Sequence, residues 1–210
     1  MEGNGQRRSK LKSILQNTRK PTGFWGRAIL RGMNAGHAQL ADWGLSHLSP
    51  APGARVLDIG CGGGANIEKL LSLCPNGFVD GVDYSEESVK MSRKKNAAAL
   101  GKRCEVVQGN VMALPYEDGL FDVVTAFETV YFWPDLSVAF LQVHRVLKPG
   151  GVFLLVCEES NPENTAWTDR IDGMKIYSGD DLENRLRSAG FTDIVAHQQK
   201  KGWLCLSARS

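Results

Sequence analysis

Short apolar runs alternate with amphipathic segments along most of this chain. Runs of consecutive or β-branched apolar residues predict buried strands at residues 55–59, 78–82, 105–108, 121–126 and 151–157. Between several of these runs, apolar residues recur at helical spacing, which predicts helices at residues 65–73, 86–100 and 135–147. Ser85 is expected to cap the second of these helices, and Gly101 is expected to end it.

The last part of the chain follows a different pattern. A capped helix is predicted at residues 178–189, and two strands follow at residues 191–197 and 203–208. The turn between these two strands is so short that they can pair only in antiparallel fashion. We therefore expect an α/β fold of the doubly wound, Rossmann-like type: a mostly parallel sheet with an antiparallel C-terminal hairpin and helices on both faces.

The composition is that of an ordinary globular domain and narrows the functional classes. The 210 residues are 42% hydrophobic and 23% charged with a formal net charge of +2, so neither a disordered chain nor a dedicated nucleic-acid binder is expected. The five cysteines form no C-x-x-C pair and the four histidines are scattered, which argues against a protein-bound metal and indicates the reducing cytoplasm. No apolar run is long enough to span a membrane, and the N-terminus lacks the apolar core of a secretory signal.

Basic residues are concentrated near the N-terminus. Between residues 7 and 31 the chain has no acidic residue but carries Arg7, Arg8, Lys10, Lys12, Arg19, Lys20, Arg27 and Arg31. We expect residues 1–20 to form a mobile basic arm and residues 21–210 a single domain. Residues 24–48 are predicted to form a helical lid within that domain.

A glycine-rich loop follows the first predicted strand, in the segment VLDIGCGGGA at residues 56–65. Gly60, Gly62 and Gly64 permit a tight turn and let a ligand approach the backbone, and the helix start beyond them offers free N–H groups. Asp83 ends the next strand, about twenty residues on, where an acidic side chain accepts hydrogen bonds from the hydroxyls of a nucleoside ribose. The pattern therefore predicts a nucleoside-cofactor site.

The glycine spacing alone fits two cofactors, because Gly60-x-Gly62-x-x-Ala65 also satisfies the dinucleotide fingerprint of NAD enzymes. Three other features favour S-adenosylmethionine. Asp58, two positions before the first glycine, suits a cofactor that carries an ammonium group. The sheet is predicted to end in an antiparallel hairpin, and the chain is too short for the second, substrate-binding domain of many dehydrogenases.

Together these segments resemble a class I S-adenosylmethionine-dependent methyltransferase of the small-molecule, ubiquinone-biosynthesis-like branch. The resemblance extends from about residue 50 to the C-terminus and is carried by VLDIGCGGG (56–64), GVDYSEESV (81–89), GNVMALPYEDGLFDVVTAFETVYFWPD (109–135) and RVLKPGG (145–151). It implies a seven-stranded sheet and in-line methyl transfer from S-adenosylmethionine to a small-molecule acceptor, with S-adenosylhomocysteine as the product.

The resemblance also implies a role for each matching position. Asp58 would orient the amino group of the cofactor, and Asp83 would hold its ribose. Tyr84 would either stack on the nucleoside or pack against the following helix. The methionine portion would be lined by Gly60, Cys61, Gly62 and Gly64, with Phe127 nearby, and the adenine by Asn110 and Val111. Asn110 departs from the acidic residue usual there, but its carbonyl oxygen can still accept from the adenine amino group.

The methyl acceptor is expected above the carboxyl ends of strands four and five. No Asn/Asp-Pro-Pro-Tyr/Phe sequence follows strand four, which argues against base amino groups and the glutamine amide as acceptors. Glu128, Tyr131 and His37 are the candidate base or anchor residues, although each also fits a purely structural or solvated role. A thiolate or enolate acceptor would need no base at all.

Three other functions stay open at this point. The chain could be an RNA methyltransferase whose basic arm follows phosphates, an NAD-linked oxidoreductase, or a cofactor-binding partner subunit without catalysis of its own. The balanced net charge argues against the first. The intact residues 60–64 and Asp83 argue against loss of the ligand site but do not exclude the third.

Overall fold

The computed structural model describes residues 38–199 and 202–210. Within these ranges the helices are α1 (Ala38–Leu45), α2 (Ala65–Leu73), α3 (Glu86–Lys95), α4 (Leu136–Val146) and α5 (Gly179–Ser188), with a short 3-10 turn at Val130–Phe132. The strands are β1 (Arg55–Ile59), β2 (Phe78–Asp83), β3 (Cys104–Gln108), β4 (Phe121–Phe127), β5 (Leu147–Cys157), β6 (Thr192–Gln198) and β7 (Leu204–Arg209).

The strands form one sheet in the order β3-β2-β1-β4-β5-β7-β6. The first five strands pair in parallel, whereas β7 lies antiparallel to both β5 and β6. The strand order reverses between β1 and β4, because β2 and β3 extend to one side of β1 and β5 to the far side of β4. The predicted doubly wound fold with its antiparallel hairpin is thereby confirmed.

Helices cover both faces of the sheet, each over its own apolar core. One core packs side chains of α4 and α5, such as Phe140 and Leu186, against the sheet. The other core packs α1 and α2, through residues such as Leu40 and Leu70, against alternate strand residues such as Val56. Because side chains alternate between the two faces of a strand, the central strands are apolar on both sides.

Polar side chains cap the N-termini of three helices, α3, α4 and α5. The Ser85 hydroxyl accepts a hydrogen bond from the N–H of Ser88, and the Ser178 hydroxyl accepts one from the N–H of Asp181. The Asp135 carboxylate accepts from the first N–H groups of α4. These caps satisfy N–H groups that have no partner within a helix, so the helix starts lie where the local sequence predicts them.

Helix α3 is shorter than the sequence predicts. It ends at Lys95 and does not continue to Leu100. The reason is Asn96, whose side-chain amide donates to the carbonyl groups of Gly64 and Ser92, at 3.0 Å in each case. The prediction was wrong because this contact to the glycine loop is tertiary and leaves no trace in the helical spacing.

Helix α1 is the described part of the segment predicted as a lid. Gly44 lets the helix lie close to the sheet, because a Cβ atom there would be 2.7 Å from Cγ2 of Val156 and 3.0 Å from Cε1 of Phe127. Lys69 of α2 forms an ion pair with Asp42 of α1. The basic arm and residues 24–37 of the predicted lid, which include His37, lie outside the described residues. None of the helices in the described ranges has the length and apolar character that crossing a bilayer requires.

Candidate functional site

A crevice is expected at the carboxyl ends of β1 and β4, where the strand order reverses. In open α/β sheets, ligands bind at such a switch point because the connections from the two strands diverge to opposite sides. Here the loop that follows β1 is the glycine loop, residues 60–64, and the turn that follows β4 begins at Glu128. The site is therefore built from two loops that lie far apart in sequence.

The glycine loop has a backbone that favours glycine at three positions. Gly60, Gly62 and Gly64 have φ values of 70°, 52° and 80°, in the left-handed region that other residues seldom adopt. Gly64 is also closely packed, since a Cβ atom there would lie 2.5 Å from the side chains of Asn96 and Ser92. The loop is thus held in one conformation by α3.

The N–H groups of this loop already donate within the protein. Gly60 and Cys61 donate to the carbonyl of Val82, at 2.7 and 3.2 Å. Gly62 donates to Oδ2 of Asp83 at 2.9 Å, and Gly64 donates to the carbonyl of Cys61 at 2.9 Å. These bonds fasten the loop to the end of β2 before any ligand arrives.

Asp83 joins the end of β2 to the glycine loop. Its Oδ2 accepts from the N–H of Gly62, and its Oδ1 accepts from the N–H of Ser85 at 2.8 Å. Burial raises the pKa of Asp83, although the two backbone hydrogen bonds and one from the Ser88 side chain oppose that effect. Since a carboxylate has four lone pairs in all, Asp83 can still accept a hydrogen bond from a ligand hydroxyl.

Asp58 is a buried carboxyl group on the other side of the loop, with 1% of its surface exposed. Its Oδ1 accepts a hydrogen bond from the Thr125 hydroxyl at 2.8 Å. Its Oδ2 is buried and has no hydrogen-bond partner among the described residues. Burial raises the pKa of Asp58 to about 7, and the charge of Asp83 acts in the same direction while the Thr125 hydrogen bond opposes both.

The residues predicted for the adenine lie near one another at the ends of β2 and β3. Asp83 and Gln108 are paired in register, so the residues that follow them share one edge of the sheet. Tyr84 is 57% exposed, and Asn110 is exposed with its side-chain oxygen accepting from the N–H of Met112 at 2.9 Å. Val111 is buried in the core beneath.

Cys61 and Phe127 lie inside the protein. The Cys61 sulfur is close to Gly81 of β2, and burial raises the pKa of its thiol well above the ordinary value. A buried thiol with a raised pKa stays protonated and is a poor nucleophile, so Cys61 acts as a small side chain that packs inside the loop. Phe127 lies under α1 beside Gly44, where it closes the core next to the crevice.

Glu128 and Tyr131 form a network at the end of β4. Oε1 of Glu128 accepts from the N–H of Glu158 and from the Tyr131 hydroxyl at 3.2 Å. The Tyr131 hydroxyl also accepts from the N–H of Glu159 at 3.0 Å, and its side chain is only 3% exposed. Tyr131 thus ties the turn after β4 to the end of β5.

The backbone and the electrostatics of Glu128 are both unusual. Its φ of 59° is in the left-handed region, which is uncommon for a residue other than glycine. Burial raises its pKa to about 8, and the charges of Glu158 and Glu159 act in the same direction, while its hydrogen bonds from Glu158 and Tyr131 oppose the shift. Strained residues with perturbed carboxyl groups are concentrated at functional sites.

The sequence reasoning missed two threonines of this site. Thr125 lies directly opposite Asp58 in the β1–β4 register. A hydroxyl residue within the apolar strand FDVVTAF is a polar group at a buried position, and that signal could have pointed to a partner. Thr129 lies against Gly60, and nothing in the local sequence indicates that contact.

Comparison with known proteins gives the family context of this site. Residues 57–155 match the methyltransferase domain family. The chain is similar to the demethylmenaquinone methyltransferase of Lactococcus lactis subsp. lactis, with 36% identity over 118 residues that cover 56% of this chain and 46% of the relative. It is also similar to 24-methylenesterol C-methyltransferase 2 of Arabidopsis thaliana, with 32% identity over 157 residues, which are 72% of this chain and 42% of the relative. The chain spans less than half the length of these two relatives.

The fold is shared with solved structures of much lower identity. The crystal structure of an S-adenosylmethionine-dependent methyltransferase from Aquifex aeolicus superposes with a TM-score of 0.73 and 17% identity, covering 87% of this chain and 97% of that one. At this identity the similarity concerns the fold alone. It agrees with the seven-stranded sheet and the crevice between β1 and β4 described above.

Proposed function

We propose that this chain is a class I S-adenosylmethionine-dependent methyltransferase that transfers the methyl group of S-adenosylmethionine to a small organic acceptor, in agreement with the match of residues 57–155 to the methyltransferase domain family. The observation that carries this proposal is the glycine loop at the β1–β4 crevice, which lies between two carboxyl groups. Asp58 offers an oxygen without a partner among the described residues, and Asp83 is held rigidly against Gly62.

The residues of the crevice fit this cofactor group by group. Asp58 Oδ2 is a buried acceptor that an ammonium group would satisfy, and the Asp83 carboxylate suits a ribose hydroxyl. The left-handed glycines leave bare backbone beside them for the methionine portion. We propose that Tyr84, Asn110 and Val111 hold the adenine at the ends of β2 and β3.

Methyl transfer requires the protein mainly to position the cofactor and the acceptor. When bound, S-adenosylmethionine supplies a methyl group already activated by its sulfonium centre. The protein must hold the acceptor in line with that methyl group and exclude water. In this proposal α1 and Phe127 close one side of the crevice, because Gly44 lies directly on Phe127.

We propose Glu128 as the residue that anchors the acceptor or accepts its proton. It follows β4 at the carboxyl edge of the sheet, where the acceptor is expected. Its pKa of about 8 leaves it mostly protonated at neutral pH in the free protein. A nearby positive charge favours the carboxylate form, so occupation of the site by a sulfonium ion would prepare Glu128 to take a proton. Tyr131 would then act as a positioning residue through its hydroxyl.

The acceptor class is proposed from the named relatives. The relatives with the names demethylmenaquinone methyltransferase and 24-methylenesterol C-methyltransferase point to apolar, partly cyclic small molecules. Such an acceptor agrees with the apolar and aromatic segment that follows Glu128, Val130–Phe132 and Trp133. We therefore propose a small apolar acceptor and not a nucleic acid.

Calorimetry with S-adenosylmethionine, S-adenosylhomocysteine and NAD tests the cofactor assignment. We expect the two sulfur ligands to bind and the Asp83→Ala variant to bind them at least tenfold more weakly, because a hydrogen-bonded carboxylate is removed. Asp118→Ala is the matched control, since Asp118 is an exposed carboxylate paired with Arg145 away from the loop. Binding of NAD without any response to the sulfur ligands would overturn the proposal in favour of an oxidoreductase.

Transfer of labelled methyl groups tests the acceptor. The panel should include a naphthoquinol, a sterol and an RNA transcript, with the Glu128→Gln variant run in parallel. We expect label in one of the two apolar classes and a lower rate in the variant. Label in RNA alone would contradict the small-molecule assignment, and cofactor binding without transfer to any acceptor would favour a non-catalytic partner subunit.

A further inference from the structure

Thr129 lies directly against the glycine loop, across the crevice between β1 and β4. A Cβ atom placed on Gly60 would overlap Cγ2 of Thr129 and lie 2.9 Å from its Cβ. The Thr129 Oγ1 would be 3.5 Å from the same position. The turn after β4 therefore approaches the backbone of the loop as closely as the absence of a side chain at Gly60 allows.

The Thr129 hydroxyl is a buried polar group for which the described part of the chain provides no partner. Its Oγ1 is inaccessible to solvent and makes no hydrogen bond to any described residue. Leaving a buried hydroxyl unsatisfied destabilises the folded state, so folded proteins seldom keep one without a reason. Oδ2 of Asp58, two residues before Gly60, is a second buried oxygen without a hydrogen-bond partner among the described residues.

These two unpartnered groups differ in what they offer a ligand. The Asp58 carboxylate can only accept a hydrogen bond when ionised, whereas the Thr129 hydroxyl has a proton to donate. The N–H groups of Gly60, Cys61, Gly62 and Gly64 already donate within the protein. Four backbone donors of the loop are therefore already occupied, and the Thr129 hydroxyl is a side-chain donor close to the same loop.

We propose that Thr129 is a positioning residue whose hydroxyl donates a hydrogen bond to the carboxylate of the amino-acid head of the cofactor, while Asp58 receives the ammonium group. The inference rests on the proposed cofactor and adds one residue to its site. The pair would match a zwitterion, with an acceptor on the β1 side of the crevice and a donor on the β4 side. Thr129 would then fix the methionine end of the cofactor relative to Glu128, its neighbour in the chain.

Two ligands that differ only in the amino-acid head separate this role from a structural one. S-adenosylhomocysteine carries the head, and 5′-methylthioadenosine has the same nucleoside and a thioether but lacks it. Thr129→Val removes the hydroxyl and keeps the branched shape that packs on Gly60, whereas Thr129→Ser keeps the hydroxyl. Calorimetry of the wild-type protein and both variants with both ligands gives six dissociation constants to compare.

We expect Thr129→Val to bind S-adenosylhomocysteine about tenfold more weakly and 5′-methylthioadenosine as the wild type does. Thr129→Ser should bind both ligands within about twofold of the wild type. Without ligand, Thr129→Val should unfold at the same temperature as the wild type or a higher one, because it lacks the unsatisfied hydroxyl. If Thr129 only packed against the loop, Thr129→Val would not lower the affinity for S-adenosylhomocysteine while leaving the unfolding temperature unchanged.

Three results would overturn the inference, and they can be told apart. If Thr129→Val binds both ligands as the wild type does, the hydroxyl does not contact the head. If it weakens both ligands equally, Thr129 acts through the shape of the loop. If the wild-type protein binds neither ligand, the proposed cofactor itself is wrong.

Discussion

Asp58 on β1 and Thr125 on β4 are register partners, and their side chains join across the strands, with 2.8 Å between Oδ1 and Oγ1. This hydrogen bond fixes the orientation of a carboxyl group that is 1% exposed. It also directs the second oxygen, Oδ2, to a buried position without a partner in the described part of the chain. The strand pair at the switch point therefore holds an acceptor ready for a cationic group.

Ligand binding should release a proton from Asp58 at slightly acidic pH. Its pKa of about 7 means that the carboxyl is largely protonated at pH 6, whereas an ammonium group favours the carboxylate. Affinity for S-adenosylhomocysteine should rise from pH 6 to pH 8 and then level off. Calorimetry at pH 6 in two buffers of different ionisation enthalpy measures the released proton directly.

Asp58→Asn should bind more weakly and lose this proton release. Glu128→Gln serves as the control, because the pKa of Glu128 is also raised and its proton could be released instead. Equal apparent enthalpies in the two buffers for the wild-type protein would contradict the prediction.

Gly60→Ala should destabilise the fold more than Gly101→Ala does. Both glycines have left-handed backbones, with φ values of 70° and 72°, so both variants carry backbone strain of about 1–2 kcal/mol. Only at Gly60 would the added Cβ overlap Thr129, since nothing lies within 4 Å of that position at Gly101. Overlap adds about 1–3 kcal/mol, which urea unfolding can resolve. Equal losses in the two variants would show that the loop can move away from Thr129.

The attachment of α1 to the C-terminal hairpin should weaken as the pH falls below about 6.5. The imidazole rings of His47 and His197 are stacked at 3.8 Å and 11°, next to Trp43 and Trp203. Burial lowers the pKa of His47 from 6.5, and the charge of His197 lowers it further. The unfolded chain then binds the proton first, so stability is complete above pH 6.5 and is lost as the pH falls through the folded-state pKa.

His197→Phe keeps the ring stack and removes the second charge. The variant should therefore lose less stability than the wild type between pH 7.5 and pH 5.5, as measured by thermal unfolding at each pH. The same pH dependence in both proteins would remove the histidine pair as the cause.

Tyr131→Phe should be destabilised, whereas Tyr116→Phe should not. The Tyr131 hydroxyl accepts from the N–H of Glu159 and donates to Glu128, so its loss leaves that N–H without its acceptor and removes one of the two hydrogen bonds to Glu128, at about 1–3 kcal/mol. The Tyr116 hydroxyl is buried without a partner among the described residues, which makes it a matched control. Urea unfolding of the two variants measures the difference, and equal stability would show that the Tyr131 network is not structural.

The same variant should move the pH dependence of methyl transfer. The hydrogen bond from Tyr131 opposes the rise in the pKa of Glu128, so Tyr131→Phe should raise that pKa further. A rate that depends on ionised Glu128 should then reach its plateau at a higher pH than in the wild type. A profile without any shift would separate Tyr131 from Glu128.

Much of this site could be predicted from local sequence. The roles of Gly60, Gly62 and Gly64 can be predicted because a left-handed turn next to a helix start favours glycine. The proximity of Asp83 to that loop follows from adjacent parallel strands, whose carboxyl ends meet at one edge of the sheet. The end of α3 could not be predicted, because Asn96 leaves the helix to bond a carbonyl group 32 residues earlier.

Three features follow from the sequence alone: the alternation of strands and helices, the capped helix starts and the identity of the glycine loop. Each of these depends on side-chain periodicity or backbone preference within a few residues. Which groups of β4 and its turn meet β1 and the glycine loop depends on tertiary packing, because Thr125 lies 67 residues from Asp58 in the chain. Oδ2 of Asp58 and Oγ1 of Thr129, which have no partner within residues 38–199 and 202–210, come together because two distant strands lie side by side, and packing of that kind leaves no local pattern to recognise.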